Sequence, residues 1–277
     1  MSRALVLGGG GVTGVAWELG LLAGLVERGV PVTGADLVVG TSAGSVVGAQ
    51  VCSVLPLEQF YEEQLVPPSS EVAARLGFAT LARLVWAGGR TRDVVRSRAR
   101  IGAMAVAART PSEASRRAVI EARLPAREWP ARRLLITAVD ASSGEFVVFD
   151  RDSEVSLVDA VGASCAVPGV WPPVTVGARR YVDGGMRSSV NADLAAGARR
   201  VLVFAPTSAA FGPMPRLSAQ VAELRVAGSR VVVVTPDAAA RAAIGRNVLD
   251  PARRAGAARA GRAQAAVVVD EVAALWA

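Results

Sequence analysis

The pentapeptide Gly40-Thr41-Ser42-Ala43-Gly44 has the G-x-S-x-G spacing that sets a serine hydroxyl on a sharp strand-to-helix turn. A hydroxyl is a weak nucleophile unless a base accepts its proton as it attacks. The sequence contains neither histidine nor lysine, so imidazole and amine are both excluded as that base and carboxylates remain. Asp183 is the best placed of them. In RRYVDGGMRSSVNADL it ends a short apolar run and precedes Gly184 and Gly185, which permit close backbone approach. Taken alone, this segment is a plain Asp-Gly turn. Beside a serine elbow without histidine, it supplies the candidate base. An aspartate with an ordinary pKa of about 3.9 accepts protons poorly, so the site must bury it and hold it against Ser42.

A second constellation comes first in the chain. LVLGGGGVTGVAWELG has the form of a strand, a glycine-rich turn and a helix, with G-x-G-x-x-G at Gly9, Gly11 and Gly14. That spacing admits a dinucleotide-binding loop, in which a helix N-terminus holds a pyrophosphate. Such a fold expects an acidic residue at the end of the second strand. ADLVVGTSAG instead has Asp36 at its start and Gly40-Thr41-Ser42 at its end. The same geometry also serves as an oxyanion hole, with backbone N–H groups at a helix start directed at a developing negative charge.

These residues need a scaffold. ALVLGGG, ADLVVGTS, RRLLITAVD, GEFVVFD, RRVLVFAPT and SRVVVVTPD are short β-branched runs bounded by turn residues and apolar on successive positions, the pattern of strands buried on both faces. Helical patterns alternate with them, which predicts a three-layer α/β/α sandwich with a mixed, largely parallel central sheet. The turn cluster Ala141 to Gly144 joins two of the runs closely and predicts an antiparallel hairpin. Residues 57–127 hold no convincing strand. They are expected to form consecutive helices, broken at Pro67-Pro68, Gly88-Gly89 and Thr110-Pro111, as a cap-like insertion in a single domain spanning 1–277. Gly20 and Gly24, and likewise Gly44 and Gly48, lie one helical turn apart and mark close backbone packing. Residues 251–277 form an Ala/Arg-rich helix, expected to pack as a terminal element.

Composition narrows the function classes. With 52% hydrophobic and 20% charged residues, 277 residues bury a sizeable core. The formal charge is +7 and every basic residue is arginine, a sign of coding bias that still gives a surface able to attract anions. Arg92, Arg96 and Arg100 share one helical face shortly after Trp86. A solvated arginine face is expected there, with peripheral contact to an anionic membrane as the functional alternative. Aromatic residues are not interleaved with the basic runs, so no nucleic-acid partner is expected. Cys52 and Cys165 make no disulfide framework and are expected as reduced core thiols, which favours a cytoplasmic location. No apolar run is long enough to span a membrane. Without histidine, a structural zinc site of the usual kind is excluded.

Taken in order, GGGGVTG, GTSAG, GASCAVPGVWPPV and DGG resemble the motifs of the bacterial patatin-like phospholipases, over about residues 4–205. The resemblance implies a serine acyl hydrolase acting on esters of phospholipids or related lipids, with Ser42 as nucleophile and Asp183 as base. It implies an oxyanion hole from the N–H groups of Gly9, Gly10 and Gly11, helped by Ala43, with Gly14, Gly40, Gly44, Gly184 and Gly185 supporting the motifs. It requires no metal or organic cofactor. Many members carry a basic residue in the glycine loop where this chain has Thr13. Two alternatives stay open: a general carboxylesterase or lysophospholipase, and a non-catalytic nucleotide- or lipid-binding protein using the glycine loop as an anion cradle. Ser164 and Cys165 are expected at a helix end followed by a proline-rigidified loop, with lining of the acyl pocket as the alternative, and Trp171 is expected as either core or pocket wall.

Overall fold

All six β-branched runs form strands in the computed structural model, which describes residues 2–67, 74, 82, 84, 87–88, 91, 93–208 and 214–277. β1 (Arg3–Leu7) leads through the glycine turn into α1 (Gly11–Glu27), and β2 (Leu37–Gly40) leads through Ser42 into α2 (Ala43–Val51). Next come α3 (Leu57–Leu65), α4 (Val94–Ala107) and α5 (Glu113–Arg123). β3 (Arg133–Asp140) and β4 (Phe146–Phe149) form the predicted antiparallel hairpin. After α6 (Leu157–Ser164) come β5 (Val174–Val176) and β6 (Arg179–Asp183), also antiparallel. β7 (Arg200–Phe204), α7 (Leu217–Val226), β8 (Arg230–Val234), α8 (Ala238–Ile244) and α9 (Arg254–Trp276) complete the chain.

The sheet order is β5-β6-β3-β2-β1-β7-β8, with β4 paired to β3. The pairs β3-β2, β2-β1, β1-β7 and β7-β8 are parallel, so the expected mixed, largely parallel sheet is present. Side chains alternate between its faces. Leu5, Leu7, Ile136, Leu202 and Phe204 pack with α1, α2, α6 and α9 on one side. Ala4, Val6, Leu135, Val201 and Val203 pack with α7 and the 192–195 turn on the other. The result is three layers.

From β1 the order runs to β2 and β3 on one side and to β7 and β8 on the other, so the crevice at the carboxyl ends of β1 and β2 is a topological switch point. The glycine turn and Ser42 both open into it. The pairs of spaced glycines do mark close packing. A Cβ on Gly20 would meet the Ala258 carbonyl of α9, one on Gly261 would meet the Trp17 carbonyl of α1, and one on Gly44 would meet the Leu7 carbonyl of β1. α9 is further tied down by Trp276 Nε1, which donates to Pro31 O at 3.0 Å.

β5 was not expected. It has only three residues and follows Pro172-Pro173, so no run announces it. In the 57–127 segment, α3, α4 and α5 are the helices described; Pro68, Trp86, Gly89 and Arg92 lie outside the described residues. Arg96 and Arg100 are exposed on α4. Among the described residues no helix is long and apolar enough to cross a membrane.

Candidate active site

Ser42 occupies the turn between β2 and α2 with φ 52° and ψ −116°, a left-handed conformation that costs a non-glycine residue about 1–3 kcal/mol. Neighbouring bonds over-determine it. Its N–H donates to Ser164 Oγ at 2.9 Å, and its carbonyl accepts from Ser45 N–H at 2.9 Å, from Ser45 Oγ at 2.7 Å and from the Cys165 thiol at 3.2 Å. α2 then approaches β1 closely enough for Gly44 N–H to donate to Gly8 O at 3.0 Å. The strained turn is thus held by bonds to both the N–H and the carbonyl of Ser42.

Ser42 Oγ donates to Asp183 Oδ2 at 2.7 Å, across 141 residues of sequence. Asp183 ends β6, which pairs antiparallel with β3 and so delivers its carboxylate beside the end of β2. Its other oxygen, Oδ1, accepts from Gly185 N–H at 2.7 Å. Gly184 has to be glycine for this turn to seat, because a Cβ would collide with Thr137 Oγ1 and the Thr137 carbonyl. Asp183 is 3% exposed. Burial pushes its pKa up to about 7, against the opposing pull of the Ser42 hydroxyl and the Gly185 N–H. This is the tuning that a carboxylate base requires at neutral pH.

Of the N–H groups expected in the oxyanion hole, that of Gly9 is engaged elsewhere: it donates to Ser189 O at 2.7 Å. Gly9 instead lies against Ser42, where a Cβ on it would stand 3.5 Å from Ser42 Cβ. Gly10 precedes α1, Gly11 opens it and Ala43 opens α2. N–H groups at these positions have no intrahelical acceptor. A Cβ on Gly14, one turn along, would stand 3.5 Å from the Ala43 side chain, so the two helix starts lie close together beside Ser42. Thr13 is fully buried, and its N–H and hydroxyl both donate to Val248 O at 3.2 Å. Where a basic residue is common in the resembling family, this chain ties the 246–249 loop to the glycine turn.

Other contributing residues were not singled out beforehand. Asn191, fully buried at φ 53°, donates through Nδ2 to Ser188 O at 2.8 Å and to Thr41 Oγ1 at 3.0 Å. Thr137 Oγ1 donates to Thr41 Oγ1 at 3.0 Å, so β3, the elbow and the segment after the Asp-Gly-Gly turn share one polar network. Arg187 locks that segment from outside, donating to Asn191 Oδ1 at 2.9 Å and to both carboxylate oxygens of Asp193 at 2.7 Å. Glu18 on α1 is fully buried and burial raises its pKa well above the ordinary range. Neither oxygen has a well-formed hydrogen bond; the Gly8 N–H, which donates to Phe204 O at 2.9 Å, also pulls on the carboxyl and opposes burial. Helical position alone does not separate such a glutamate from an exposed one.

The cleft over Ser42 is narrow, with a cavity volume of about 30 Å³. Val12, Val15, Val46, Val167, Trp171 and Leu249 supply an apolar wall, and Arg116 and Arg123 of α5 supply its charges. Cys165 also lines it. Burial and then the neighbouring Asp183 raise the Cys165 pKa, while the fields of Arg116 and Arg123 pull it down. Ser164 and Cys165 are thus part of the site's frame rather than simply a helix end, and Trp171 is a pocket wall.

A family model described as patatin-like phospholipase matches residues 5–196. Comparison with curated proteins returns no match. Among solved structures, the chain is similar to VipD from Legionella pneumophila, at 14% identity and a TM-score of 0.49, over 98% of this chain and 67% of that one. It is also similar to the type III effector protein ExoU, at 16% identity and a TM-score of 0.42, over 98% of this chain and 53% of that one. The chain spans about two thirds of the first and about half of the second.

Proposed function

Because the chain belongs to the patatin-like phospholipase family, we propose that it hydrolyses acyl esters of lipids through a Ser42–Asp183 dyad. The observation that carries this reading is the 2.7 Å hydrogen bond from Ser42 Oγ to a buried carboxylate with a pKa of about 7. As Oγ attacks the ester carbonyl carbon, Asp183 Oδ2 takes the hydroxyl proton. The oxyanion that forms lies at the two helix starts, where Gly10, Gly11 and Ala43 offer N–H groups and both helix dipoles favour negative charge. Collapse expels the alcohol, which leaves with the proton from Asp183, and the acyl group stays on Ser42. Water then attacks the acyl-enzyme with Asp183 again as base; collapse breaks the acyl–Oγ bond, Asp183 returns the proton to Ser42 Oγ, and the fatty acid departs. Asp183 does the work of imidazole because burial, rather than residue type, brings its pKa to the working pH.

The apolar wall is a surface for the carbons of an acyl chain next to the ester, and a lipid ester matches both that wall and the dyad. The test is release of free fatty acid from a monoacylglycerol by the folded protein. Wild type is expected to turn it over, and Ser42→Ala to lower kcat by about 10³-fold or more. Equal turnover by Ser42→Ala would refute the reading.

A further inference from the structure

We propose that Arg116 and Arg123 form an anion subsite that makes this chain selective for acyl esters bearing a phosphomonoester, over esters that are neutral or zwitterionic. This rests on the acyl hydrolase reading and specifies its substrate.

The two arginines are seven residues apart on α5, two turns along one helix face, and both line the cleft that opens over Ser42. Both lower the pKa of the Cys165 thiol, which lines the same cleft and donates to Ser42 O. Arg116 is 8% exposed, and its guanidinium carbon lies over the Trp171 ring, 4.0 Å from the centroid. Cation–π contact at this distance restrains the guanidinium, whose N–H groups form a rigid planar fork. Such a fork matches a phosphate's oxygens better than a point charge does.

α5 is held at both ends by the elements that build the site. Near its start, Glu113 accepts from Thr175 N–H at 2.6 Å and from Thr175 Oγ1 at 3.0 Å, and Arg117 pairs with Asp159 of α6. At its end, Gln50 of α2 donates to Arg123 O at 3.0 Å. α2 begins beside Ser42 and α6 ends at Ser164, so the arginines and the nucleophile share one frame. With Thr13 committed to Val248 O, the cation of the cleft comes from α5 and not from the glycine turn.

The test compares three octanoyl esters below their micelle-forming concentrations: 1-octanoylglycerol, its phosphocholine ester and its phosphomonoester. For catalysis, kcat/KM is measured with wild type, Arg116→Lys, Arg116→Gln and Arg123→Gln. For binding, the same three ligands are titrated into Ser42→Ala. Wild type should favour the phosphomonoester over the neutral ester by about tenfold or more, the scale of charge-assisted hydrogen bonding. Arg123→Gln and Arg116→Gln should each bring that ratio toward one, and Arg116→Lys should keep part of it. Thermal melts identify any variant that fails to fold, and Arg123→Gln, at a half-buried position, carries the test if Arg116→Gln does not fold.

Equal ratios in wild type and folded Arg123→Gln would overturn the subsite. So would a preference abolished by 0.5 M salt yet indifferent to both arginines, since that would be long-range attraction to the net charge. Preferential binding by Ser42→Ala without turnover of any ester by wild type would sustain the subsite and refute the hydrolase reading. Turnover without preference would do the reverse.

Discussion

At the residue scale, the dyad depends on one buried carboxylate whose pKa departs from its unfolded value in a direction that costs stability. Asp183 rises to about 7 when folded, from about 3.9 unfolded. The folded state binds this proton more tightly, so the contribution is full below about pH 3.9 and is lost as pH rises through about 7. Asp183→Asn removes that dependence. In urea denaturation, the stability of Asp183→Asn relative to wild type should therefore increase from pH 5 to pH 8, by an amount on the order of a few kcal/mol. A difference that does not change with pH would contradict the burial assigned to Asp183. Ser42 and Asp183 were legible because each sits in a motif whose glycines have a steric purpose. Ser164, Asn191 and Arg116 were not legible. Each acts through contacts with residues far away in sequence, and no local spacing encodes which loop a buried hydroxyl or amide will meet.

At the element scale, α1 and α9 pack backbone to backbone, and this contact backs the helix that opens at the glycine turn. Helix propensity alone makes Gly261→Ala stabilising by about 1 kcal/mol. The Trp17 carbonyl stands where the new methyl would go, so the net effect should be destabilising, by about 1–3 kcal/mol. Gly34→Ala, with nothing within 4 Å of its added methyl, should stay within about 0.5 kcal/mol of wild type. Urea midpoints measure both, and a stabilised Gly261→Ala would contradict the packing. Strands were legible where β-branched residues run together and turn residues close the run. β5 escaped because its pairing with β6, rather than its own three residues, makes it a strand. Helix α5 was expected only as part of a cap; that its one face lines the cleft follows from its ties to β5, α6 and α2, which no periodicity displays.

At the scale of the whole molecule, a parallel sheet with a switch point sets the glycine turn and the serine elbow side by side, and an antiparallel β6 brings the base back to them. Fold class was the most legible level, because alternating apolar runs and helical patterns allow few topologies. The summed charge of +7 acts at this scale too. Sedimentation with vesicles containing a third anionic lipid should exceed sedimentation with zwitterionic vesicles at 0.05 M salt, and the excess should disappear by 0.5 M. Equal sedimentation at low salt would remove the membrane surface as a partner. The central claim concerns two residues held by that architecture, and the most direct measurement is the pH dependence of covalent labelling by a fluorophosphonate, followed by intact mass. The account predicts one adduct, on Ser42, with a rate that rises with pH and is half-maximal near pH 7; Asp183→Asn should label far more slowly and without that rise. An adduct that persists in Ser42→Ala, or a wild-type rate and pH profile retained by Asp183→Asn, would contradict it.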